Sequence, residues 1–353
     1  ARDLAESHLD RALKGDLGPE KPAAQRLLGQ LYLAARRADA RALDEAEKLL
    51  VACRQTIPET HFDLIQLFAA RGDRDNLRRE ADTALRLFRE KAQFDPNNPT
   101  PRVNWSRAAA ALEEFPEAVR ILEEGFRATG DPLFRSALAT VHAAWYDHER
   151  AKPTPAVPDT LGLLDAGLKY DAANRDLLNR LSARLQTGPE AAPARAALER
   201  LLAEGSTARA HIHFALAIDA QLRKDAAAEK VHLELAYKAD KNVGVVANNL
   251  AVTLTQPPNQ DLPRALELVN AALRQDPDSP TFRDTRGHVH LLSGRWAEAI
   301  DDFEFVLSRQ RDAEGAHAAL ATAYENVGRR DLAAEHRRLA DRPKPKPKTP
   351  TKP

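Results

Sequence analysis

The chain of 353 residues has no methionine, a single cysteine, 5% aromatic residues and a net charge of zero. Each shortage removes a class of molecule. One cysteine rules out an internal disulfide. With 52 basic and 52 acidic residues balancing to +0, no overall field draws the chain to nucleic acid or to an anionic membrane surface. No apolar run approaches the ~18 residues that a membrane helix needs, so direct membrane insertion by this chain is not expected. Nor is there a run of alternating β-branched residues long enough for a sheet.

Recognisable chemistry is missing as well. The chain contains no Gly-x-x-x-x-Gly-Lys phosphate loop, no Gly-x-Ser-x-Gly elbow, no His-Glu-x-x-His and no Cys-x-x-Cys pair. Its eleven histidines are the main temptation. His211 with His213, and His288 with His290, stand two apart, which on a helix turns them about 200° from each other. A helical metal pair needs a spacing of three or four. The reading is therefore of no metal, no cofactor and no catalysis. His213 and His290 fall at packing positions, as does Cys53. Asn104-Trp105-Ser106 matches a glycosylation sequon but lies within an expected helix.

What the chain does have is alanine, leucine, arginine and glutamate, at 43% hydrophobic and 29% charged residues, the composition of a helical protein. A helix-pair pattern returns about every 34 residues. The clearest copy runs from Pro280 through Arg286-Gly287, His290, Gly294-Arg295-Trp296, Ala299, Phe303 and Val306. The next sets Leu320-Ala321, Tyr324, Gly328-Arg329 and Ala333 at matching offsets. A first-helix marker falls at Gly29, Ile65, Ser106, Ala139, Ser182, Ala217, Ala251, Gly287 and Ala321. A second-helix marker falls at Ala46, Leu77, Ala118, Thr160, Ala194, Glu229, Ala265, Ala299 and Ala333. Small residues at both sites let paired helices approach closely. Prolines at Pro96, Pro99, Pro277 and Pro280 punctuate the junctions, because proline cannot donate to the preceding turn.

This pattern resembles the tetratricopeptide repeat (TPR) from about residue 3 to 340, most strongly after Ala208. The stretch Asn248-Asn249-Leu250-Ala251, with Asp261-Leu262-Pro263-Arg264-Ala265-Leu266, is similar to uncharacterised bacterial TPR-array proteins, and the excess of arginine over lysine fits a GC-rich bacterial gene. The resemblance implies an all-α, right-handed α-α superhelix of about nine helix-turn-helix repeats over residues 1–341. The expected repeats are 22–58, 59–98, 99–131, 132–173, 174–206, 207–243, 244–279, 280–313 and 314–341. One pair has apolar faces on both sides and cannot hide them alone, so neighbours must stack.

Departures from the period mark loops and ends. Extra residues around Arg37-Ala38-Asp39-Ala40-Arg41 separate the helices of the first full copy. A proline-bearing insert from Asp147 to Asp159 reads as an extended, helix-free surface loop. Ala5, Leu9 and Ala12 match a second helix whose first helix is missing, so the chain is expected to be a fragment or mature form of a longer protein. Arg337 stands where other copies carry a large apolar residue, as in a terminal cap. Residues 342–353, Lys/Pro-rich, read as a disordered, solubilising tail.

In the TPR fold the first helices line a concave groove. The family's groove offsets fall here on Arg26, Gln30, Phe62, Gln66, Val103, Arg107, Thr140, Asn179, His211, Phe214, Asn248, Val252, Asp284, His288, Ala318 and Thr322. Amides, hydroxyls and a few aromatics suit a peptide or helix of a partner protein. A carboxylate clamp is not expected, because the repeats beside Asn248 and Asn249 offer Phe214, Ala215, Asp284 and Thr285 in place of cations. The implied role is a noncatalytic protein-protein interaction scaffold. The alternatives are a regulatory region of a larger enzyme or sensor, and a membrane-anchored or periplasmic assembly factor. No signal assigns a compartment, with a cytoplasmic one slightly favoured, and oligomeric state is left open.

Overall fold

The computed structural model describes residues 2–13, 15, 17–35, 39–154, 159–186, 188–310 and 313–341. Among these the chain is all-α, with nineteen α-helices and no strand. It packs as two compact units, Ala1–Leu181 and Ser182–Pro353. In the first, α1 (Arg2–Leu13) precedes the antiparallel pairs α2 (Lys21–Ala35) with α3 (Ala40–Cys53), α4 (Thr60–Arg71) with α5 (Arg74–Phe94), α6 (Pro99–Ala111) with α7 (Phe115–Thr129), and α8 (Pro132–Ala151) with α9 (Thr160–Tyr170). The division falls within α10 (Arg175–Ala183), which stops early at two 3₁₀ turns around Gly188-Pro189.

The second unit holds α11 (Ala191–Ala203) and four pairs. These are α12 (Arg209–Leu222) with α13 (Ala226–Ala239), α14 (Gly244–Thr253) with α15 (Leu262–Gln275), α16 (Pro280–Leu292) with α17 (Trp296–Arg309), and α18 (Glu314–Asn326) with α19 (Arg330–Ala340).

Each pair is welded where its small residues cross. Ser106 is fully buried and its hydroxyl donates to the Ala118 carbonyl at 2.9 Å, joining the two markers of one hairpin directly. A Cβ built on Gly287 would stand 2.9 Å from the Phe303 ring, and one on Gly29 would stand 2.8 Å from Leu50. Around these crossings Ala46, Ala118, Ala194, Ala265 and Ala299 show no exposed surface. Between pairs, leucines and aromatics fill the space: Ile121, Leu122, Phe134 and Leu138 form one continuous core in the first unit. Leu250, Leu268, Val269 and Val289 do the same in the second.

The turn inside five of the hairpins is one repeated device. After α4, α6, α12, α16 and α18 a single residue takes positive φ: Gly72, Glu113, Lys224, Gly294 and Gly328. Its N–H and that of its successor reach back to the last turn, for example Gly294 to Leu291 and Arg295 to His290. This is a Schellman-type stop, which glycine accommodates without strain and Glu113 and Lys224 do not. In two of the five, aspartate then caps the following helix, Asp73 with Asn76 on α5 and Asp225 with Ala228 on α13, and Asp261 does the same with Arg264 on α15.

Two expectations about loops need correction. Asp147–Ala151 is not loop but the last turn of α8, held down because Tyr146 and Glu149 are buried and Lys152 closes on Glu149 at 2.8 Å. Of the segment around Arg37, Asp39 caps α3 and Ala40 begins it, while residues 36–38, like 155–158 and the tail from 342, lie outside the described residues. The sequon asparagine, Asn104, is 5% exposed within α6, with no room for a glycan. Cys53 is fully buried, and burial pushes its thiol up. Arg337 is exposed and pairs with Glu325.

Half-buried polar pairs lie in the seams between helices. His213 and His232 meet Nδ1 to Nδ1 at 3.2 Å, and His317 and His336 at 2.9 Å. Both pairs are 19 residues apart, at matching sites of two hairpins. Ring centroids 5.4 and 5.1 Å apart put the facing nitrogens almost on the line between the rings. That is the geometry of one Nδ1–H donating to a bare Nδ1, so a proton on both facing nitrogens breaks the bond.

Two outcomes are expected. Gly287→Val destabilises the fold by about 1–3 kcal/mol in urea titration because the Phe303 ring must give way, whereas Gly315→Ala, in open space, stabilises it by roughly 0.5–1 kcal/mol. The second concerns pH. Burial lowers the affinity of His213, His232 and His336 for protons, and within each pair the facing histidine lowers it further for His213 and His336. The unfolded chain, with histidines near pH 6.5, then binds more protons than the folded one. Stability from these groups is complete above about pH 6.5 and is lost as pH falls toward the lowered folded values. Denaturation midpoints between pH 7 and 5 should fall, and fall less in the His232→Gln, His336→Gln double variant.

Candidate functional site

The face to consider is set by which helices lie side by side. First helices of successive hairpins touch, α2 with α4 and α6 with α8 in one unit, and α14 with α16 and α16 with α18 in the other. No comparable contact joins successive second helices among the described residues. Each unit therefore presents a ledge of neighbouring first helices.

In the first unit this ledge carries a connected set of side chains from three helices. Arg26 Nε donates to Asp63 Oδ2 at 2.6 Å, and Gln30 Nε2 donates to Asp63 Oδ1 at 3.0 Å. Asp63 is 8% exposed, so two donors from α2 satisfy a carboxylate that α4 withholds from water. Next to it Phe62 is buried, stacked on Phe88 at 5.5 Å. From α6 the Arg107 guanidinium covers that ring 4.0 Å from its centroid, a cation–π contact, and Nη1 donates to Asn104 Oδ1 at 3.3 Å. Although Arg107 keeps an open edge, loss of hydration in this packed wall lowers its guanidinium pKa, which Asp63 opposes and Arg26 reinforces.

The groove candidates thus divide. Arg26, Gln30, Phe62 and Arg107 are brought together, and Phe62 forms the floor rather than an open aromatic anchor. Gln66 is exposed, Val103 half-buried and Asn179 exposed. Thr140 is exposed, and its hydroxyl donates to Ser136 one turn back at 3.0 Å. Asp63 and Asn104 were missed by sequence reasoning. The signal available was an aspartate directly beside a groove position, with a cation and an amide one repeat upstream.

In the second unit Phe214 is half-buried against the core of Ala217, Ala247 and Ala251, and Val252 is 41% exposed. Asn248 is buried and its Oδ1 has no hydrogen-bond partner. His288 donates from Nδ1 to the Asp284 carbonyl at 2.9 Å and rests edge-on against Phe303. Burial pushes the Asp284 carboxyl up, with His288 opposing. His211 is half-buried, and Ala318 and Thr322 are exposed, the Thr322 hydroxyl donating to Ala318 at 3.2 Å.

No family model matches the chain, and no curated protein does. Solved structures match in part. The crystal structure of MamA is 16% identical, covering 45% of this chain and 91% of that one at a TM-score of 0.41. YrrB, described as a TPR protein with an unusual peptide-binding site, is 13% identical over 72% of this chain and 90% of its own, at 0.35. The human IFIT1 dimer with m7Gppp-AAAA is 12% identical over 96% and 93%, at 0.35. What decides the assignment is the set of hairpins itself: small-residue crossings, repeated left-handed turns and first helices laid side by side. The fold is an all-α array of TPR-like helix hairpins.

In this array of hairpins no described helix is long and apolar enough to cross a membrane. No described cluster of three or more His, Cys, Asp or Glu side chains is gathered as a metal site. The histidine pairs that do form run between helices, His213 with His232 and His317 with His336, rather than along one helix.

Asp63→Ala should release Arg26 and Gln30 and cost about 1–3 kcal/mol of stability. Asp63→Asn, which keeps an acceptor, should cost less. Denaturant titration of both variants checks the order.

Proposed function

We propose that this chain is a TPR-type, noncatalytic interaction scaffold that holds a peptide or helix of a partner protein along its first helices. The observation that supports this reading is the Arg26–Gln30–Asp63–Phe62–Arg107 set. Side chains from three successive first helices, α2, α4 and α6, are pre-positioned by one another before any ligand arrives, which removes part of the ordering cost of binding. Their open edges present amide and guanidinium N–H groups to an extended backbone. In the second unit the exposed Val252 and half-buried Phe214 supply apolar contact, and α14 also carries the buried Asn248, whose Oδ1 has no partner.

The test is selection from a displayed library of random peptides on the full chain, followed by affinity measurement. Arg107→Ala with Gln30→Ala, or Phe214→Ala with Asn248→Ala, should weaken the selected peptides by at least about tenfold, ~1.4 kcal/mol, while the circular dichroism of the chain is unchanged. Peptides indifferent to both double variants would sink the groove reading. So would retention of single-stranded RNA in place of any peptide.

A further inference from the structure

Away from the ledge of first helices, α15, α16 and the turn between them enclose a cleft of about 400 Å³ lined by Asn270, Leu273, Arg274, Pro277, Arg283 and Arg286. Its charged residues are all arginines. The counter-charge bonded to them is Asp302 on α17, 1% exposed. Arg286 reaches it through Nε at 2.7 Å and Nη2 at 2.6 Å, and Arg283 through Nη1 at 3.1 Å. One carboxylate thus serves two guanidiniums. Arg274 adds a third cation, and among the described residues no carboxylate pairs with it.

The hydrogen-bonding inventory points the same way. Arg286 Nη1 donates to Asn270 Oδ1 at 3.2 Å, which occupies that oxygen and leaves the Asn270 amide N–H groups as donors. Arg283 Nε is buried without an acceptor. The polar wall therefore offers donors, and the one built-in acceptor is taken. Arg286 is pinned from both sides and Arg283 lies over the Phe305 ring at 4.7 Å, so these two guanidiniums are held in place. Leu273 and Pro277 give the cleft an apolar lip. A second cleft of about 470 Å³ continues from it, sharing Asn270 and Arg274 and adding Tyr237, Arg264 and Glu267. Arg264 is paired with Glu234 and Glu267 adds a carboxylate to this second cleft, so the cationic excess lies in the first.

We propose that this cleft binds a phosphoryl dianion carried on a side chain of a partner polypeptide. Three guanidiniums with one shared carboxylate leave two positive charges for a doubly charged, three-oxygen acceptor, and arginine forks match phosphate oxygens. The apolar lip and the adjoining cleft suit the chain on either side of the modified residue. The site stands independently of the first-helix ledge, because Arg286 faces α15 and α17.

Three ligands titrated into the full chain test this: a short phosphoserine peptide with apolar flanks, its unphosphorylated twin and inorganic phosphate. The phosphopeptide should bind saturably, at least about tenfold tighter than its twin, and inorganic phosphate should compete. Arg274→Glu should weaken it by about tenfold or more, while Arg78→Glu, an exposed reversal on α5, should not. Asp302→Asn, which removes the internal counter-charge, should tighten binding, a gain that a misfolded chain cannot produce. Saturable binding of inorganic phosphate with no advantage to the phosphopeptide would keep the phosphoryl site but overturn its polypeptide source. Absence of saturation by either anion, or equal loss from Arg78→Glu and Arg274→Glu, overturns the site itself.

Discussion

Close approach of two helices at a small residue is the constraint on which the rest depends. Gly287 and Gly29 leave no space for a Cβ, and Ser106 replaces that space with a hydrogen bond to the helix it crosses. Once two helices lie this near, their large side chains are forced outward to both flanks, and only a neighbouring hairpin can cover them. Stacking is then a consequence of crossing geometry more than of any single strong contact. The first helices end up as one another's neighbours, and their outward edges become a surface.

Buried charge in this fold serves to place helices against each other. Burial alone would raise the Asp219 carboxyl on α12, but Arg195 from α11 and Arg223 just past the end of α12 hold it below the usual carboxylate range. Asp302 plays the same part between α16 and α17. An exchange of such pairs for apolar residues is often neutral in stability. What they add is orientation, since a bidentate arginine has one good docking angle. The cationic cleft beside Asp302 follows from this arrangement, because a second arginine is drawn to a carboxylate already satisfied.

Much of the fold was legible because its determinants are local. Residues near one another in sequence carry the hairpin: the small marker, the left-handed turn at Gly294 or Gly328, and the capping aspartate. Ile65 with Leu77, and Ala139 with Thr160, are marker pairs that depart from small residues at one or both sites. The second of these brackets the end of α8, where buried Tyr146 and Glu149 carry the helix into the expected insert as far as Ala151, just short of Pro153. The surface was less legible. Phe62 was readable as a groove position, but its burial beneath Arg107 was not, since the two side chains come from different hairpins. The histidines show the same limit. Spacing along one helix was the available test, whereas the pairs that form are 19 residues apart, a constant offset that only the antiparallel hairpin makes meaningful.

The amino-acid sequence by itself determined the helical class, the hairpin unit and the small-residue crossings, because these rest on periodicity and backbone preference within a few tens of residues. Tertiary structure alone decided which polar groups meet: Asp63 with Arg26 and Gln30, Arg107 over Phe62, His213 with His232, and three arginines around one cleft. The reason is physical. A helix specifies where its side chains point along its own axis, but the distance to a charge on another helix depends on how two hairpins lean together, and a hydrogen bond is made or lost within a single ångström of that lean.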